Sequence, residues 1–382
     1  MSKMYKKLLL APGPTPLPQE VKIEGAKDIV HHRDPESKKV LGKCMENFQW
    51  LLGTTGDVFL LASSGSGAME TAVQNVVSPG DKVIVVNAGN FGTRWLKMTK
   101  AFKANVIEIG KTWDKIVTPE ELKKVLDENP DTKAVFCQLS ETSTGACSNV
   151  KDFAEIVSKT SAITVVDGVS GVGVVPLYMD DWKIDVVVGG SQKGLMIPPG
   201  LAFIAVNKKA WKMVEECKQS RFYFDLTQYK KHVDSGNMTP WTSAITIVNQ
   251  ANVAFDMIRS EGKEEMWKRY SKLAVAVRQA IHALNLELWS ECPGDAVTAV
   301  KIPEDLKDGG KIPAIMRDDF GITIAGAQGS YKGKFIRIGH MGAMDFYDEL
   351  CCISALEKTL YKLGWKFELG AGLTAFQKAL ID

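Results

Sequence analysis

The chain has 382 residues, of which 45% are hydrophobic and 24% charged, and its formal net charge is +2. This length and charge balance are typical of a globular protein with one large and one small domain, and they argue against the clustered basic face that nucleic-acid binding needs. No apolar run approaches the roughly 20 residues that span a bilayer. The seven scattered cysteines form neither a Cys-x-x-Cys pair nor a ligand cluster with the five histidines, which predicts reduced thiols, a cytoplasmic location and no metal site.

The first part of the chain predicts one helix and the beginning of a sheet. Apolar periodicity predicts a helix over 37–52 and a strand over 57–61. A turn of small residues follows the strand, and a helix is predicted over 70–77. Two further apolar runs, at 82–86 and 106–109, predict strands.

The alternation of strands and helices continues to residue 206. A Thr-Pro pair at 118–119 has the residue types of an N-cap and a first helical position. Apolar runs predict strands over 134–139, 162–166 and 201–206. Because strands alternate with helical segments over 57–206, we expect a mostly parallel α/β sheet.

The last part of the chain is less regular. Residues 215–229 are polar and aromatic and predict a loop. Apolar periodicity predicts helices over 243–258 and 265–284, and the second of them joins a large domain to a smaller C-terminal one. A glycine-rich segment, 325–334, predicts a mobile loop, and the apolar run 335–340 predicts a strand.

Two polar residues in this sheet suggest chemistry. Asp167 ends a buried strand, where open α/β sheets bind ligands. Lys193 follows the short strand Val186–Val188, which ends in two glycines, and precedes an apolar Pro-Pro-Gly bend. A desolvated lysine has a lowered pKa and can attack a carbonyl as a neutral amine, and an aspartate paired with such a lysine is the arrangement that holds pyridoxal 5'-phosphate (PLP). The alternative is an ordinary surface lysine after a strand.

The sequence around these residues is similar to a known family. The segments VVDGVSG at 165–171 and GGSQKGLMIPPG at 189–200 resemble fold-type I PLP enzymes, and more narrowly the class V aminotransferases of the alanine–glyoxylate and serine–pyruvate group. The resemblance extends from PGPT at 12–15 to RIGHMG at 337–342. It implies an α/β fold with a mostly parallel, seven-stranded type of sheet and a smaller α+β domain.

This resemblance also implies a division of the chain. Residues 1–20 would form an N-terminal arm, residues 21–260 the large PLP-binding domain, and residues 261–382, with part of the arm, the small domain. A proline-rich segment over 11–16 would lie across the mouth of the active site, which gives Gly13 a substrate-binding role.

The cofactor contacts implied by the resemblance come from several elements. Lys193 and Asp167 are the catalytic pair: Lys193 binds PLP covalently, and Asp167 holds the ring nitrogen. The other implied contacts are a phosphate-binding turn, an aromatic ring that stacks on the cofactor, a hydroxyl group, and the residue before the lysine: Ser66, Gly67, Ala68, Phe91, Thr142 and Gln192. Taken alone, the serine-glycine turn and Thr142 are equally consistent with ordinary turns, and Phe91 with a core position.

A dimer is the second structural implication. In the family, the segment that matches Thr239 and Thr242 crosses a two-fold interface and bonds the phosphate of the partner's cofactor, so a homodimer with shared sites is expected. His31, His32 and Arg33 match a stretch near the family's substrate pocket. No third ligand is spaced to make a metal site with the two histidines.

Arg337 is the candidate for substrate binding. It lies on an apolar strand, so its buried guanidinium needs an anion. Either it pairs with a structural carboxylate, or it binds a substrate carboxylate as a bidentate fork, and the resemblance to the family's R-I-G motif favours the second. Arg33 or Arg94 could bind a distal carboxylate.

The resemblance implies a ping-pong aminotransferase that acts on alanine, serine or aspartate with glyoxylate or pyruvate. One alternative is a cysteine desulfurase or another PLP lyase, but a desulfurase needs a nucleophilic cysteine on the loop before Arg337, and residues 321–334 contain none. Another is a non-catalytic PLP-fold subunit of a larger complex, since proteins of this group include chains called hydrogenase subunits.

Overall fold

The computed structural model of the protein describes residues 6–110 and 112–381. In chain order its first elements are β1 (Leu8–Leu9), α1 (Gln19–Glu24), α2 (Pro35–Leu52), β2 (Asp57–Leu61), α3 (Gly65–Val76), β3 (Lys82–Asn87), α4 (Asn90–Ala101), β4 (Asn105–Gly110), α5 (Pro119–Glu128), β5 (Ala134–Gln138), β6 (Ser140–Glu141), β7 (Ala146–Cys147), α6 (Val150–Val157), β8 (Ile163–Asp167), β9 (Val186–Gly190) and β10 (Ala202–Val206). The later elements are α7 (Lys208–Glu216), α8 (Leu226–Asp234), α9 (Ile245–Glu261), α10 (Lys263–Ala283), β11 (Val297–Lys301), α11 (Ile312–Phe320), β12 (Ile322–Thr323), β13 (Ala325–Gly326), β14 (Phe335–Gly339), α12 (Phe346–Lys362) and α13 (Ala371–Ile381). Within the described ranges, no helix is both long enough and apolar enough to cross a bilayer.

A seven-stranded sheet forms the centre of the larger part of the protein. Its order is β2-β10-β9-β8-β5-β3-β4, and only β10 runs antiparallel to its neighbours. The mostly parallel α/β sheet predicted from the alternation is therefore confirmed. Because β2, β3, β5, β8 and β9 point the same way, the loops after their carboxyl ends meet at one edge, which is where such sheets bind ligands.

Apolar side chains cover both faces of this sheet and form a separate third cluster. Two clusters of buried residues pack on the two faces. The third gathers side chains of α11, α12 and α13 against the small sheet β11-β14-β13. Helix α10 contributes to two clusters, with Met266 and Tyr270 in the first and the buried residues from Ala276 to Ile281 in the third. It therefore joins the sheet layer to the C-terminal elements.

The short strand β1 ties the beginning of the chain to these C-terminal elements. Leu8 and Leu9 pair in parallel with Ile322 and Thr323 of β12. Beyond β1, the Gly339 N–H donates to the Leu10 carbonyl at 2.7 Å. The proline-rich segment is thus anchored beside β14 before it turns toward the central sheet.

Three local predictions differ from the structure. Strand β9 includes both glycines and ends at Gly190, so they are not the turn itself: Gly189 and Gly190 pair with Phe203 and Ala202 of β10, and a Cβ at Gly189 would overlap the Phe203 ring. The glycines therefore permit close packing inside the strand, and the chain turns only after them.

The loop predicted over 215–229 is wrong at both ends. Helix α7 continues to Glu216, and α8 begins at Leu226. Asp225 caps α8 by accepting the Thr227 N–H at 3.0 Å, a start signal that the aromatic composition of the segment obscured.

Helix α3 begins at Gly65, five residues before the predicted start. The small residues after β2 predict a turn, but they form the first turn of the helix, because tertiary packing overrides the weak preference of glycine against helices. The Thr-Pro prediction is confirmed, since Thr118 caps α5 in a capping box with Glu121.

Candidate active site

Lys193 lies in the turn after β9 and is 7% exposed. Its Nζ donates to the Pro12 carbonyl oxygen, and its own carbonyl accepts from the Thr15 hydroxyl at 2.9 Å. The pKa of Lys193 is lowered to about 8, mainly by burial and also by the Arg337 charge, while Asp167 acts in the opposite direction. The side chain therefore supplies a neutral amine at a pH where an ordinary lysine is fully charged.

Gly13 packs directly against this amine. It has a φ of 127°, and a Cβ at this position would overlap Nζ of Lys193. Only glycine fits both the backbone conformation and the space. The proline-rich segment thus lies over Lys193.

Asp167, the last residue of β8, is 4% exposed and accepts the Val169 N–H at 2.8 Å. Burial raises its pKa to about 7, with a smaller contribution from Glu141, while the Val169 N–H, Arg94 and Lys193 lower it. A buried carboxyl group with this pKa is poised to become an anion beside a cationic ligand.

The serine-glycine turn forms the start of α3 at the same edge of the sheet. Ser66, Gly67 and Ala68 lie in its first turn. Arg94 donates from Nη1 to the Ser66 hydroxyl at 2.6 Å. A helix N-terminus with a guanidinium beside it favours an anion such as phosphate.

Phe91 lies in the first turn of α4. The Arg94 guanidinium lies 4.6 Å from the centre of its ring. Thr142 follows β6 and its hydroxyl contacts the Ser170 hydroxyl. Gln192 has a buried Oε1 with no hydrogen-bond partner in the described part of the chain, so this oxygen can accept from a bound molecule.

Arg337 extends from β14 toward the same region and is 5% exposed. Its Nε and Nη2 donate to the Gly326 carbonyl at 3.0 and 2.8 Å, and its Nη1 donates to the Thr142 carbonyl at 2.9 Å. Burial lowers its pKa to about 10, against an opposing effect of Glu141. With residues 6–110 and 112–381 considered, these bonds leave two of its five N–H groups for a ligand.

Thr239 and Thr242, two of the predicted phosphate contacts, do not contact the Lys193 cluster within the single described chain. Thr239 is buried and donates to the Trp241 carbonyl at 2.6 Å. Thr242 is exposed and lines a separate cavity of about 530 Å³ with His31 and His32. Arg33 donates to the Met238 sulfur at 3.9 Å. Across the described ranges, no group of three or more His, Cys, Asp or Glu side chains could hold a metal ion.

Sequence reasoning missed Glu141 and the role of Arg94 in linking elements of the site. Glu141 is fully buried, and its Oε2 accepts the Phe91 and Gly92 N–H groups at the start of α4. Thr142 was expected in the site, but the glutamate before it stands among small polar residues, which give no signal of burial.

A model of the aminotransferase class-V family matches residues 13–324. The chain belongs to this family. It is a PLP-dependent aminotransferase with the fold-type I architecture, and its fold and cofactor predictions are thereby confirmed.

Relatives match this aminotransferase over nearly its whole length. The small subunit of the soluble hydrogenase of Synechococcus sp. is 37% identical over 98% of each chain. The L-aspartate–glyoxylate aminotransferase of Paracoccus denitrificans is 32% identical over 97% of this chain and 95% of its own. The crystal structure of ureidoglycine–glyoxylate aminotransferase from Bacillus subtilis has a TM-score of 0.94 and 26% identity, covering 99% of this chain and 98% of the other.

The side chains at the sheet edge suit PLP. Asp167 is a buried acid whose charge needs a cationic partner, Lys193 is a buried amine of lowered pKa, and Gln192 has an unpaired buried oxygen. PLP carries the complementary groups: a pyridinium nitrogen for Asp167, an aldehyde for Lys193, and a ring hydroxyl that can donate to the Gln192 oxygen.

Proposed function

We propose that this aminotransferase moves an amino group between a small amino acid and a 2-oxo acid, with alanine, serine or aspartate as donor and glyoxylate or pyruvate as acceptor. The observation that carries the proposal is Arg337, a buried guanidinium held by two carbonyls and leaving two N–H donors. An α-carboxylate is common to all these substrates and takes such a fork in bidentate geometry. Relatives named for glyoxylate support the acceptor.

We assign each side chain a role in this reaction. Bound PLP supplies an electron-accepting ring. Lys193 would attach the cofactor and, once released, carry the α-proton; Asp167 would keep the ring nitrogen protonated. Phe91 would stack on the ring, Thr142 and Gln192 would donate to or accept from its substituents, and Ser66, Gly67 and Ala68 would bind its phosphate at the start of α3. Gly13 would keep the proline-rich segment close to the substrate.

A donor–acceptor panel on the purified enzyme tests the proposal. We expect ping-pong kinetics with parallel double-reciprocal lines, because the amino group stays on the enzyme between the two half-reactions. Glyoxylate or pyruvate should be accepted with at least one of the three donors. Release of alanine and sulfide from cysteine, without transfer to an oxo acid, would instead assign a desulfurase.

Replacing Asp167 with asparagine is expected to lower kcat/KM by on the order of 100- to 1,000-fold, because a preorganised charge beside the ring nitrogen is lost. Asp185→Asn is a matched control, since Asp185 is also buried but precedes β9 at the opposite end of the strands, where it accepts the Thr164 N–H at 2.8 Å. Its effect should be on stability alone. Equal kcat/KM losses in the two variants, per folded molecule, would remove Asp167 from the reaction.

We also propose that the active unit is a homodimer. An aromatic patch beside Thr239 and Thr242 consists of Phe222, Tyr223 and Trp241. Phe222 is 75% exposed, and the Tyr223 and Trp241 rings stack at 5.7 Å with an interplanar angle of 8°. Rigid exposed aromatics of this kind favour a protein interface, and a partner could then place Thr239 and Thr242 at the phosphate site of the other chain.

Sedimentation at assay concentration should give twice the 41.9 kDa chain mass. Phe222→Asp should weaken dimerisation by about 2 kcal/mol per subunit, the value of burying one large apolar side chain, and should lower PLP affinity with it. Tyr361→Asp is the control, because Tyr361 is 69% exposed on α12. A fully active monomer would contradict the shared site.

The boundaries and location follow as proposals. The third apolar cluster supports an arm over 1–20, a large domain over 21–260 and a small domain over 261–382 that includes part of the arm. Seven free thiols suit a reducing compartment, and we propose the cytoplasm.

A second candidate function is a place in a larger complex, favoured by the relative named as a hydrogenase subunit. Lys193, Asp167 and Arg337 are all present, so such a role would add to catalysis rather than replace it. Co-purification of a second polypeptide with active enzyme would support it.

A further inference from the structure

Helix α4 begins without a side chain of its own to cap it. Its N-cap residue is Gly89, which has no side chain. The first N–H groups of any helix lack partners within the helix. In this helix the first turn carries Phe91 and leads to Arg94, two residues at the proposed cofactor site.

The missing cap is supplied from another part of the chain. Glu141 Oε2 accepts the N–H groups of Phe91 and Gly92 at 3.1 and 3.0 Å. The Ser143 hydroxyl accepts the Asn90 N–H at 2.8 Å and donates to Glu141 Oε1 at 2.5 Å. Glu141 and Ser143, which are separated by one residue, therefore accept the first three N–H groups of α4.

Thr142, the residue between Glu141 and Ser143, contacts other parts of the site. The Thr142 carbonyl accepts from Arg337 Nη1 at 2.9 Å, and the Thr142 hydroxyl contacts Ser170. Arg94 of the capped helix donates to Ser66. Movement of the segment 141–143 would therefore displace the stacking ring, the anchor of Arg337 and the guanidinium beside the phosphate turn together.

In the part of the chain that the structure describes, both carboxylate oxygens of Glu141 accept hydrogen bonds from N–H or O–H donors. Oε1 accepts the Ser143 N–H at 3.1 Å as well as its hydroxyl, and the Phe91 N–H lies 3.3 Å from the same oxygen. Burial raises the pKa of Glu141, while these N–H and O–H groups lower it. An amide in place of the carboxylate would turn an NH₂ group toward one set of donors, whichever way it is rotated.

We propose that Glu141 is a positioning residue of the active site, which fixes Phe91, Thr142 and Arg337 in one rigid unit by capping α4 from outside the helix. It does not touch the reacting atoms. The inference rests on the proposed function for its effect on substrates, but the cap itself is a property of the chain.

The experiment compares Glu141→Gln with a matched control, Glu357→Gln. Glu357 is also a buried carboxylate (2% exposed) that caps a helix remotely, accepting the Gly370 and Leu373 N–H groups at the start of α13 at 2.9 and 3.1 Å. Its helix packs in the third apolar cluster, away from the sheet edge. The same chemical change is thus made in two similar caps.

Hydrogen exchange on protein freed of cofactor is the first measurement. Glu141→Gln should lower the protection of the 90–92 amides by about tenfold, as expected for a lost cap, and leave the α13 amides unchanged. Glu357→Gln should do the reverse. Unchanged protection at 90–92 in folded Glu141→Gln protein would overturn the cap.

Steady-state kinetics with PLP is the second measurement. Glu141→Gln should raise the Kd of PLP and the KM of every carboxylate substrate by about tenfold, with a smaller change in kcat, because Lys193 is untouched. A normal KM with loss of stability alone would leave Glu141 a structural cap and overturn the positioning role. If wild-type enzyme binds no PLP at Lys193, the proposed function fails instead, whatever the exchange data show.

Discussion

Lys193→Ala is expected to abolish transamination, with kcat lowered by at least about 10⁴-fold, the upper range for a positioned proton-transfer group. The variant loses the point of covalent attachment for PLP and the buried amine that would carry the α-proton, the one that donates to the Pro12 carbonyl. Alanine should fold, because removing a buried ammonium ion also removes its desolvation cost. Non-covalent PLP binding through α3 and Asp167 should persist.

Borohydride trapping is the direct measurement. Reduction of the wild-type holoenzyme should fix the cofactor to the peptide that contains Lys193, and the variant should release its cofactor on denaturation. Attachment at another lysine would end the assignment.

The lowered pKa adds a test with a defined sign. Because the folded pKa of Lys193 is about 8, the fraction of neutral amine rises with pH through that value. Covalent uptake of PLP by the cofactor-free protein should therefore speed up with a midpoint near pH 8 and level off about one pH unit above it. A midpoint near the ordinary lysine value would mean that the amine is solvated before the cofactor binds.

Lys263→Ala controls for burial alone. Lys263 is 8% exposed, burial lowers its pKa, and its Nζ lies 4.7 Å from the centre of the Tyr178 ring. It belongs to α10 and not to the sheet edge. Turnover per folded molecule should stay within about twofold of wild type, since it has no contact with the site.

The sequence was sufficient for the parts of the site that depend on local pattern. Asp167 and Lys193 each follow a continuous apolar strand, so their place at the carboxyl edge of a parallel sheet follows from topology. Arg337 was expected to be buried because Ile336 and Ile338 flank it, and it is.

Other contacts depend on side chains far apart in the chain. The cap of α4 joins residues 141 and 143 to residues 90–92, and no local periodicity encodes such a pairing. The packing of Gly189 against Phe203 likewise needs the register of β9 and β10. Glycine disfavours regular structure in isolation, so its use for close approach is recognised only once the neighbouring strand is known.

Arg337→Lys is expected to weaken every donor and acceptor together, by about 2–5 kcal/mol in kcat/KM, or roughly 30- to several-thousand-fold. A lysine ammonium could reach one carbonyl, but it cannot hold Gly326 and Thr142 and still present two parallel N–H groups. The loss should therefore be uniform across substrates, since all of them share the α-carboxylate. PLP content and the visible absorbance of the bound cofactor should change little.

The control separates substrate binding from a structural role. Arg278→Lys changes a half-buried arginine that binds Asp295 at 2.9 Å and the Gly294 carbonyl at 3.2 Å. It should lower stability slightly and leave kcat/KM close to wild type. Arg337 differs because its hydrogen-bond partners in the described part of the chain are backbone carbonyls, which satisfy its N–H groups without neutralising its charge. If Arg337→Lys instead loses PLP or unfolds while kcat/KM per bound cofactor stays normal, the guanidinium serves the packing of the 142 and 326 backbones, and the substrate carboxylate binds elsewhere.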